Sequence, residues 1–80
     1  MYNLRSDEYK AFIERLISAR QGSGLTQQEV AQRLEKPQSY ISKIETCQRR
    51  VDVLEVKELA SLYNTAVAKL LGDDNNAGLL

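Results

Sequence analysis

Histidine is absent from the 80-residue sequence, and cysteine and methionine occur once each. Without histidine the commonest general base is missing, so acid–base and Ser–His–Asp catalysis are not expected. The same scarcity leaves no ligand set for a structural zinc ion, and a single cysteine allows no internal disulfide, which is typical of a reducing compartment. No apolar run approaches the ~20 residues of a membrane span, and residues 1–6 lack the apolar core of a secretory signal. We therefore expect a cytoplasmic domain that is not an enzyme and needs no metal or other cofactor.

Charge is balanced over the whole chain but not along it. Eleven basic and eleven acidic residues give a formal net charge of zero. Residues 20–50 contain six basic and three acidic residues, whereas residues 51–80 contain two basic and five acidic ones. A basic middle and an acidic end can orient a protein in the field of a polyanion, and the acidic end also suits a basic protein partner.

The apolar residues recur with helical spacing in five segments, and no alternating stretch rich in β-branched residues predicts a strand. The segments cover approximately residues 6–21, 26–34, 37–45, 52–64 and 65–71. The sequence therefore predicts one all-α domain, a compact five-helix bundle over residues 1–71, followed by a flexible tail over residues 72–80. A domain of this size leaves no room in these 80 residues for a separate ligand-binding or catalytic domain.

Capping residues and apolar faces define these helices further. Thr26 with Glu29, and Asp52 with Glu55, have the spacing of a capping box. Pro37 is expected at the first position of the third helix, where its missing N–H has no intrahelical partner to lose. The predicted core consists of the apolar residues Tyr9, Phe12, Ile13, Leu16, Ile17, Val30, Ala31, Leu34, Tyr40, Ile41, Ile44, Val53, Val56, Leu59, Ala60, Tyr63, Val67, Leu70 and Leu71.

The most informative stretch is QQEVAQRLEKPQSYISKIET, residues 27–46. It predicts two helices of about two turns each, joined by three or four residues. Ala31 is placed where the helices cross, and its small side chain permits close approach. Leu34, Ile41 and Ile44 are placed to hold the pair together, which is how a helix-turn-helix is built.

The segments LTQQEVAQRL, SYISKIE and RR, followed by LASLYNTAVAKLL, resemble the lambda-repressor-like (Cro-type) helix-turn-helix family over residues 12–71. The resemblance implies sequence-selective binding of double-stranded DNA, with the third helix in the major groove and the second across the backbone. The family's base-contacting positions correspond to Gln38, Ser39, Ser42 and Lys43. Its phosphate-contacting positions correspond to Gln27, Lys36, Tyr40, Arg49 and Arg50. A buried ion pair between the first and third helices corresponds to Arg20 and Glu45.

The chemistry of these side chains agrees with the implied roles. Gln38 can form bidentate bonds to adenine and Lys43 can donate to guanine, and each good pair contributes ~1–3 kcal/mol of discrimination. Arg49 and Arg50 can neutralise phosphates without selecting a sequence. The alternative for the base-contacting positions is a solvated helix face, formed by Gln38, Ser39, Ser42 and Lys43. The alternative for Arg49 and Arg50 is that they are ordinary loop charges. Tyr40 also lies on an apolar helix face, so a place in the core or at its rim is the alternative for this residue.

Two residues depart from the family pattern, in which glycine is usual after the second and third helices. Glu35 and Cys47 occupy these positions. A left-handed backbone there costs a residue other than glycine ~1–2 kcal/mol. Asn64 is expected to adopt that conformation after the fourth helix, which asparagine tolerates. Glu35 also brings a negative charge near the predicted DNA face.

The predicted function is that of a transcriptional regulator, most simply a repressor that occupies an operator. Leu54 and Leu62, with Leu79 and Leu80, are expected to form an apolar patch for a homodimer, which would contact two half-sites ~34–36 Å apart. The alternative is a protein-interaction module, an antitoxin or adaptor built on the same bundle. In that case the acidic C-terminal third would bind a basic protein partner.

Overall fold

A computed structural model describes residues 6–72, which form five α-helices and no strand. The helices are α1 (Asp7–Gly22), α2 (Gln27–Leu34), α3 (Gln38–Glu45), α4 (Val53–Leu62) and α5 (Val67–Leu70). The predicted all-α five-helix fold is therefore confirmed. The tail predicted over residues 72–80 lies, apart from Gly72, outside the described residues. Within residues 6–72, no helix combines the length and the apolar character needed to cross a membrane.

Three of the helices begin with a side chain that caps their free amide groups. Ser6 caps α1. Thr26 accepts a hydrogen bond from the amide of Glu29 at 3.1 Å, and the Glu29 carboxylate accepts one from the amide of Thr26 at 2.9 Å. Asp52 and Glu55 exchange the same two bonds at 2.8 and 3.0 Å. Both predicted capping boxes are confirmed, and each fixes the first turn of its helix.

Each of the five helices is followed by a residue with a positive φ angle. These residues are Gly24, Glu35, Cys47, Asn64 and Gly72, with φ of 74°, 58°, 62°, 55° and 83°. After each of the first four, the next residue donates its amide to the carbonyl five positions earlier, at distances between 2.8 and 3.3 Å. This Schellman arrangement satisfies carbonyl groups that the helix itself leaves without a partner. The left-handed backbone expected at Glu35, Cys47 and Asn64 is confirmed.

The core lies between the apolar faces of all five helices. Its buried members are Phe12, Ile13, Leu16, Val30, Ala31, Tyr40, Ile41, Ile44, Val56, Leu59, Ala60, Tyr63 and Leu70. Burying one large aliphatic side chain contributes about 1.5–3 kcal/mol, so these contacts are the main force that fixes α3 on the bundle. Ala31 is buried where α2 packs against α3, and its small side chain allows the two helices to approach closely.

The sequence prediction is wrong at three residues. Pro37 is the N-cap residue of α3 and not its first helical residue, because its ψ of 154° is extended. The helix therefore begins at Gln38. Leu71, the C-cap residue of α5, is 52% exposed and not part of the core. Val53 is also outside the core and is 76% exposed. The first turn of α4 extends past the packed part of that helix, which begins at Val56.

Candidate nucleic-acid interface

The two faces of α3 have opposite environments. Tyr40, Ile41 and Ile44 are buried and hold the helix on the core. The four predicted base-contacting residues lie on the other face. Gln38, Ser39 and Lys43 are exposed, and Ser42 is partly exposed. The helix thus presents a row of amide, hydroxyl and ammonium groups to solvent.

The dimensions of α3 suit the major groove of B-form DNA. α3 has eight residues, about two turns, and an α-helix with its side chains is about 10–12 Å in diameter. The major groove is about 12 Å wide and admits one α-helix. α2 packs against α3 and is joined to it by residues 35–37, and the polar row on α3 nevertheless stays accessible to solvent.

An ion pair ties the end of α1 to the end of α3. Arg20 donates to both carboxylate oxygens of Glu45, from Nε at 2.7 Å and from Nη2 at 3.1 Å. The side chains of Arg20 and Glu45 are only 12% and 7% exposed. The hydrogen bond to Glu45 raises the pKa of Arg20 above its usual value. Arg20 also donates to the carbonyl of Leu25 at 2.8 Å, so the guanidinium fixes the α1–α2 connection as well.

Gln27, at the first position of α2, belongs to the same network. Its Nε2 donates to Glu45 Oε1 at 2.8 Å. Glu45 therefore holds side chains from α1 and α2 against α3. The phosphate contact expected of Gln27 stays a prediction. The bond to Glu45 fixes the orientation of the Gln27 amide group, and this is the orientation in which the amide would meet a phosphate.

Basic side chains flank α3 in sequence on both sides. Lys36, which precedes the helix, has its Nζ 5.3 Å from the centroid of the Tyr40 ring. Arg49, which follows the helix, has its guanidinium carbon 4.7 Å from the same centroid. Cations near an aromatic face are attracted by the negative potential of the ring. Lys36 and Arg50 are exposed, and Arg49 is partly exposed.

Tyr40 belongs to the core and not to the solvent-facing row. The residue is 9% exposed, and its hydroxyl donates to Glu55 Oε2 at 2.9 Å. Burial raises the pKa of Tyr40 to about 12, and the bond to Glu55 adds to this shift. The phenol has one proton to donate, and Glu55 already accepts it. We therefore leave Tyr40 out of the phosphate contacts proposed below.

Glu55 is the residue that sequence reasoning missed. It was assigned only to the capping box of α4, yet it also accepts two hydrogen bonds from Arg49, at 3.0 and 2.9 Å. These bonds are the main reason why the pKa of Glu55 falls to about 2. The six-residue separation of Arg49 and Glu55 crosses a non-helical connection, and such a spacing does not predict a contact. The one sequence feature that points to this contact is the basic pair Arg49 and Arg50, which stands just before the Asp52–Glu55 capping box.

A pair of short helices with an exposed polar face on the second one is the arrangement of a helix-turn-helix DNA-binding domain. The family model for the helix-turn-helix matches residues 16–70 of the chain. The chain therefore belongs to the lambda-repressor/Cro-like helix-turn-helix family, and its function is of the DNA-binding transcription-regulator kind. No curated protein matches the chain.

Proposed function

We propose that the protein is a sequence-specific transcriptional repressor that binds double-stranded DNA with α3 in the major groove. The observation that carries this proposal is the division of α3 into a buried apolar face and an exposed polar one. The apolar face fixes the helix on a packed core, so the polar groups are held in place before DNA binds. Preorganised donors and acceptors lose little conformational entropy on binding, which favours selective recognition.

Base selection is assigned to the exposed face of α3. Gln38, at the start of the helix, can pair with the N6 and N7 groups of an adenine, and Lys43 can donate to the N7 and O6 groups of a guanine. Ser39 and Ser42 can each donate or accept one hydrogen bond. Loss of one good bidentate pair should cost about 1–3 kcal/mol of discrimination at that base pair and leave other positions unchanged.

Affinity for any duplex is assigned to phosphate contacts by Gln27, Lys36 and Arg50. Gln27 lies at the start of α2, where the amide groups and helix dipole favour an anion. Lys36 and Arg50 are exposed on either side of α3 in sequence. Each cation that neutralises a phosphate releases counterions, which makes affinity fall with salt concentration.

A homodimer would extend recognition to two half-sites. Leu54 is 72% exposed beside Val53 on α4, and together they form the apolar surface proposed for a second copy. Leu34 and Leu62 line a groove next to Leu54, and Lys57 and the acidic residues of α4 lie around it. Two-fold pairing can bring a lysine of one copy to an acid of the other. Leu79 and Leu80, also predicted for this patch, lie outside the described residues.

The test of the proposed dimer is sedimentation of the purified chain at tens of micromolar. A dimer that Leu54→Ser converts to a monomer is expected. Leu71→Ser is the matched control, because Leu71 is also an exposed leucine but lies on the C-terminal side of α5. A wild-type chain that remains monomeric, or equal effects of the two variants, would contradict the proposed surface.

The test of DNA recognition compares Gln38→Ala with Arg50→Ala on a set of duplexes at several salt concentrations. Gln38→Ala should relax preference at one base pair and leave the log–log slope against salt unchanged. Arg50→Ala should weaken binding to every duplex alike and make the slope shallower by about 0.9. Gln21→Ala on α1 and Lys69→Ala on α5 are the matched controls, and neither should change preference or slope. Identical behaviour of Gln38→Ala and Arg50→Ala would refute the assigned roles.

The protein-interaction module remains the second candidate because acidic residues surround the groove beside Leu54. An antitoxin or adaptor of this kind would use the groove for a basic partner and would bind random duplex weakly. Its signature is a slope near zero in the same salt titration. The cytoplasmic location expected from the sequence stays a prediction under both functions.

A further inference from the structure

The carboxylate of Glu55 joins three parts of the chain. Its Oε1 accepts from Arg49 at 3.0 Å and from the amide of Asp52 at 3.0 Å. Its Oε2 accepts from Arg49 at 2.9 Å and from the Tyr40 hydroxyl at 2.9 Å. Tyr40 belongs to α3, Arg49 to the α3–α4 connection and Asp52 to the cap of α4. One anion thus fixes the α3–α4 connection against the helix proposed to contact bases.

The guanidinium of Arg49 is held by more than its ion pair. Besides the two bonds to Glu55, Nη1 donates to the carbonyl of Arg50 at 2.9 Å. The guanidinium carbon lies 4.7 Å from the centroid of the Tyr40 ring, in a position for a cation–π contact. The Arg49 and Glu55 side chains are 39% and 17% exposed, so the anion is the better shielded partner. Bidentate arginine–carboxylate pairs are among the stronger hydrogen-bonded contacts in proteins.

This geometry sets a limit on what Arg49 can do for DNA. Three hydrogen bonds already engage the guanidinium, two to Glu55 and one to the Arg50 carbonyl, and a phosphate that approached Arg49 would meet the negative charge of Glu55 beside it. While the pair is intact, Arg49 and Glu55 together add no net charge, and no counterion is released on their account. This limit applies to Arg49 and not to the exposed residues Lys36 and Arg50, to which the phosphate contacts are assigned above.

We propose that Glu55 is a positioning residue for DNA binding, one that keeps Arg49 from the phosphates and fixes the connection carrying Arg50 beside α3. The inference rests on the proposed function. Its consequence is weaker binding to random duplex and a larger ratio of operator to random-duplex affinity. Negative charge close to a DNA interface disfavours non-specific binding, which depends almost wholly on phosphate contacts.

Glu55→Gln is the sharpest test, because glutamine has the same size and also serves in a capping box. The variant should free Arg49 for a phosphate. We expect its affinity for random duplex to rise several-fold at low salt, with a log–log slope steeper by about 0.9. The ratio of operator to random-duplex affinity should fall. Glu14→Gln, at an exposed position of α1, makes the same change in net charge and should leave slope and ratio unchanged.

The double variant Arg49→Met/Glu55→Gln tests the same inference by removing both charges of the ion pair, so that neither partner is left as an unpaired charge. Because the pair carries no net charge, the double variant should keep the wild-type slope, while its operator ratio falls as the connection loses its anchor. Circular dichroism and the melting temperature of each variant separate a change in DNA binding from unfolding. If Glu55→Gln does not fold, the slope of the double variant decides the question.

Three results would overturn the inference. One is a Glu55→Gln slope equal to that of the wild type, and another is an equal effect of Glu14→Gln. The third is a double variant whose slope is shallower by about 0.9, since Arg49 would then contact a phosphate in the wild type. In all three cases the wild type still binds DNA in a salt-dependent manner, so the proposed function survives. If the affinity of the wild type did not change with salt concentration, both the proposed function and the inference about Glu55 would be overturned.

Discussion

The ion pair between Arg20 and Glu45 offers the clearest prediction about stability. Glu45→Ala removes three hydrogen bonds at once, two from Arg20 and one from Gln27, at distances between 2.7 and 3.1 Å. It leaves the poorly exposed Arg20 without its anionic partner. These bonds connect three helices, so their loss should affect the whole domain and not one helix end.

The size of the effect follows from burial. Removing one partner of a fully buried ion pair costs about 3–5 kcal/mol, because the other charge is left uncompensated. Both side chains keep some contact with water, so we expect about 2–4 kcal/mol for Glu45→Ala and a similar loss for Arg20→Ala. In a domain of 60–100 residues, 1 kcal/mol shifts the melting temperature by about 4–8 °C, so a loss of about 3 kcal/mol corresponds to about 12–24 °C.

The assay is a double-mutant cycle measured by urea unfolding. The double variant should lose less than the sum of the single variants, with a coupling energy of about 2 kcal/mol. Glu58→Ala and Arg33→Ala, at exposed helix positions, are the controls and should each change the free energy of unfolding by under about 0.5 kcal/mol. A coupling energy indistinguishable from zero would refute the structural role assigned to the pair.

Three further predictions follow from single residues. Glu35→Gly should stabilise the domain by about 0.5–1 kcal/mol in urea unfolding, because φ is 58° there, whereas Asn64→Gly should be near neutral since asparagine tolerates this conformation. Ala31→Leu should destabilise by about 1–3 kcal/mol, because the α2–α3 contact has no room for the extra methylene groups, and a melting curve like that of the wild type would contradict this. Folding lowers the pKa of Glu55 from its ordinary value of 4.5 to about 2. The Glu55 carboxylate therefore stabilises the fold at pH values above 4.5, and this contribution is lost as the pH falls toward 2. Near neutral pH, the free energy of unfolding of the wild type should exceed that of Glu55→Gln by about 1–2 kcal/mol, after allowance for solvent screening. Urea unfolding at about pH 3 should show a smaller difference between the two.

Much of the fold could be predicted because local and tertiary signals agree. Thr26 and Asp52 each begin a helix with an acidic residue three positions later, and both capping boxes form as the spacing predicts. The helical period of the apolar residues identified every buried core residue in the described part of the chain. Val53 has the correct period and is nevertheless exposed, because periodicity identifies a helix face but not how far along the helix other elements cover it.

The candidate site was less predictable, for a physical reason. The exposed face of α3 follows from helical geometry, so the side chains from Gln38 to Lys43 could be placed from the sequence. The partners of Arg49 and Tyr40 depend on the path of the α3–α4 connection, which has no period. Glu55 was therefore recognised as a cap and not as the anion that fixes both residues.

Selection of bound sequences from a random duplex pool tests the central claim most directly, which is that the exposed face of α3 contacts bases in a major groove. The account predicts that wild type enriches a defined motif, palindromic if the protein dimerises, and that Gln38→Ala loses preference at one position of that motif. A pool that stays random after repeated selection with the wild type, or an unchanged motif with Gln38→Ala and with a variant of every other residue on that face, would contradict it.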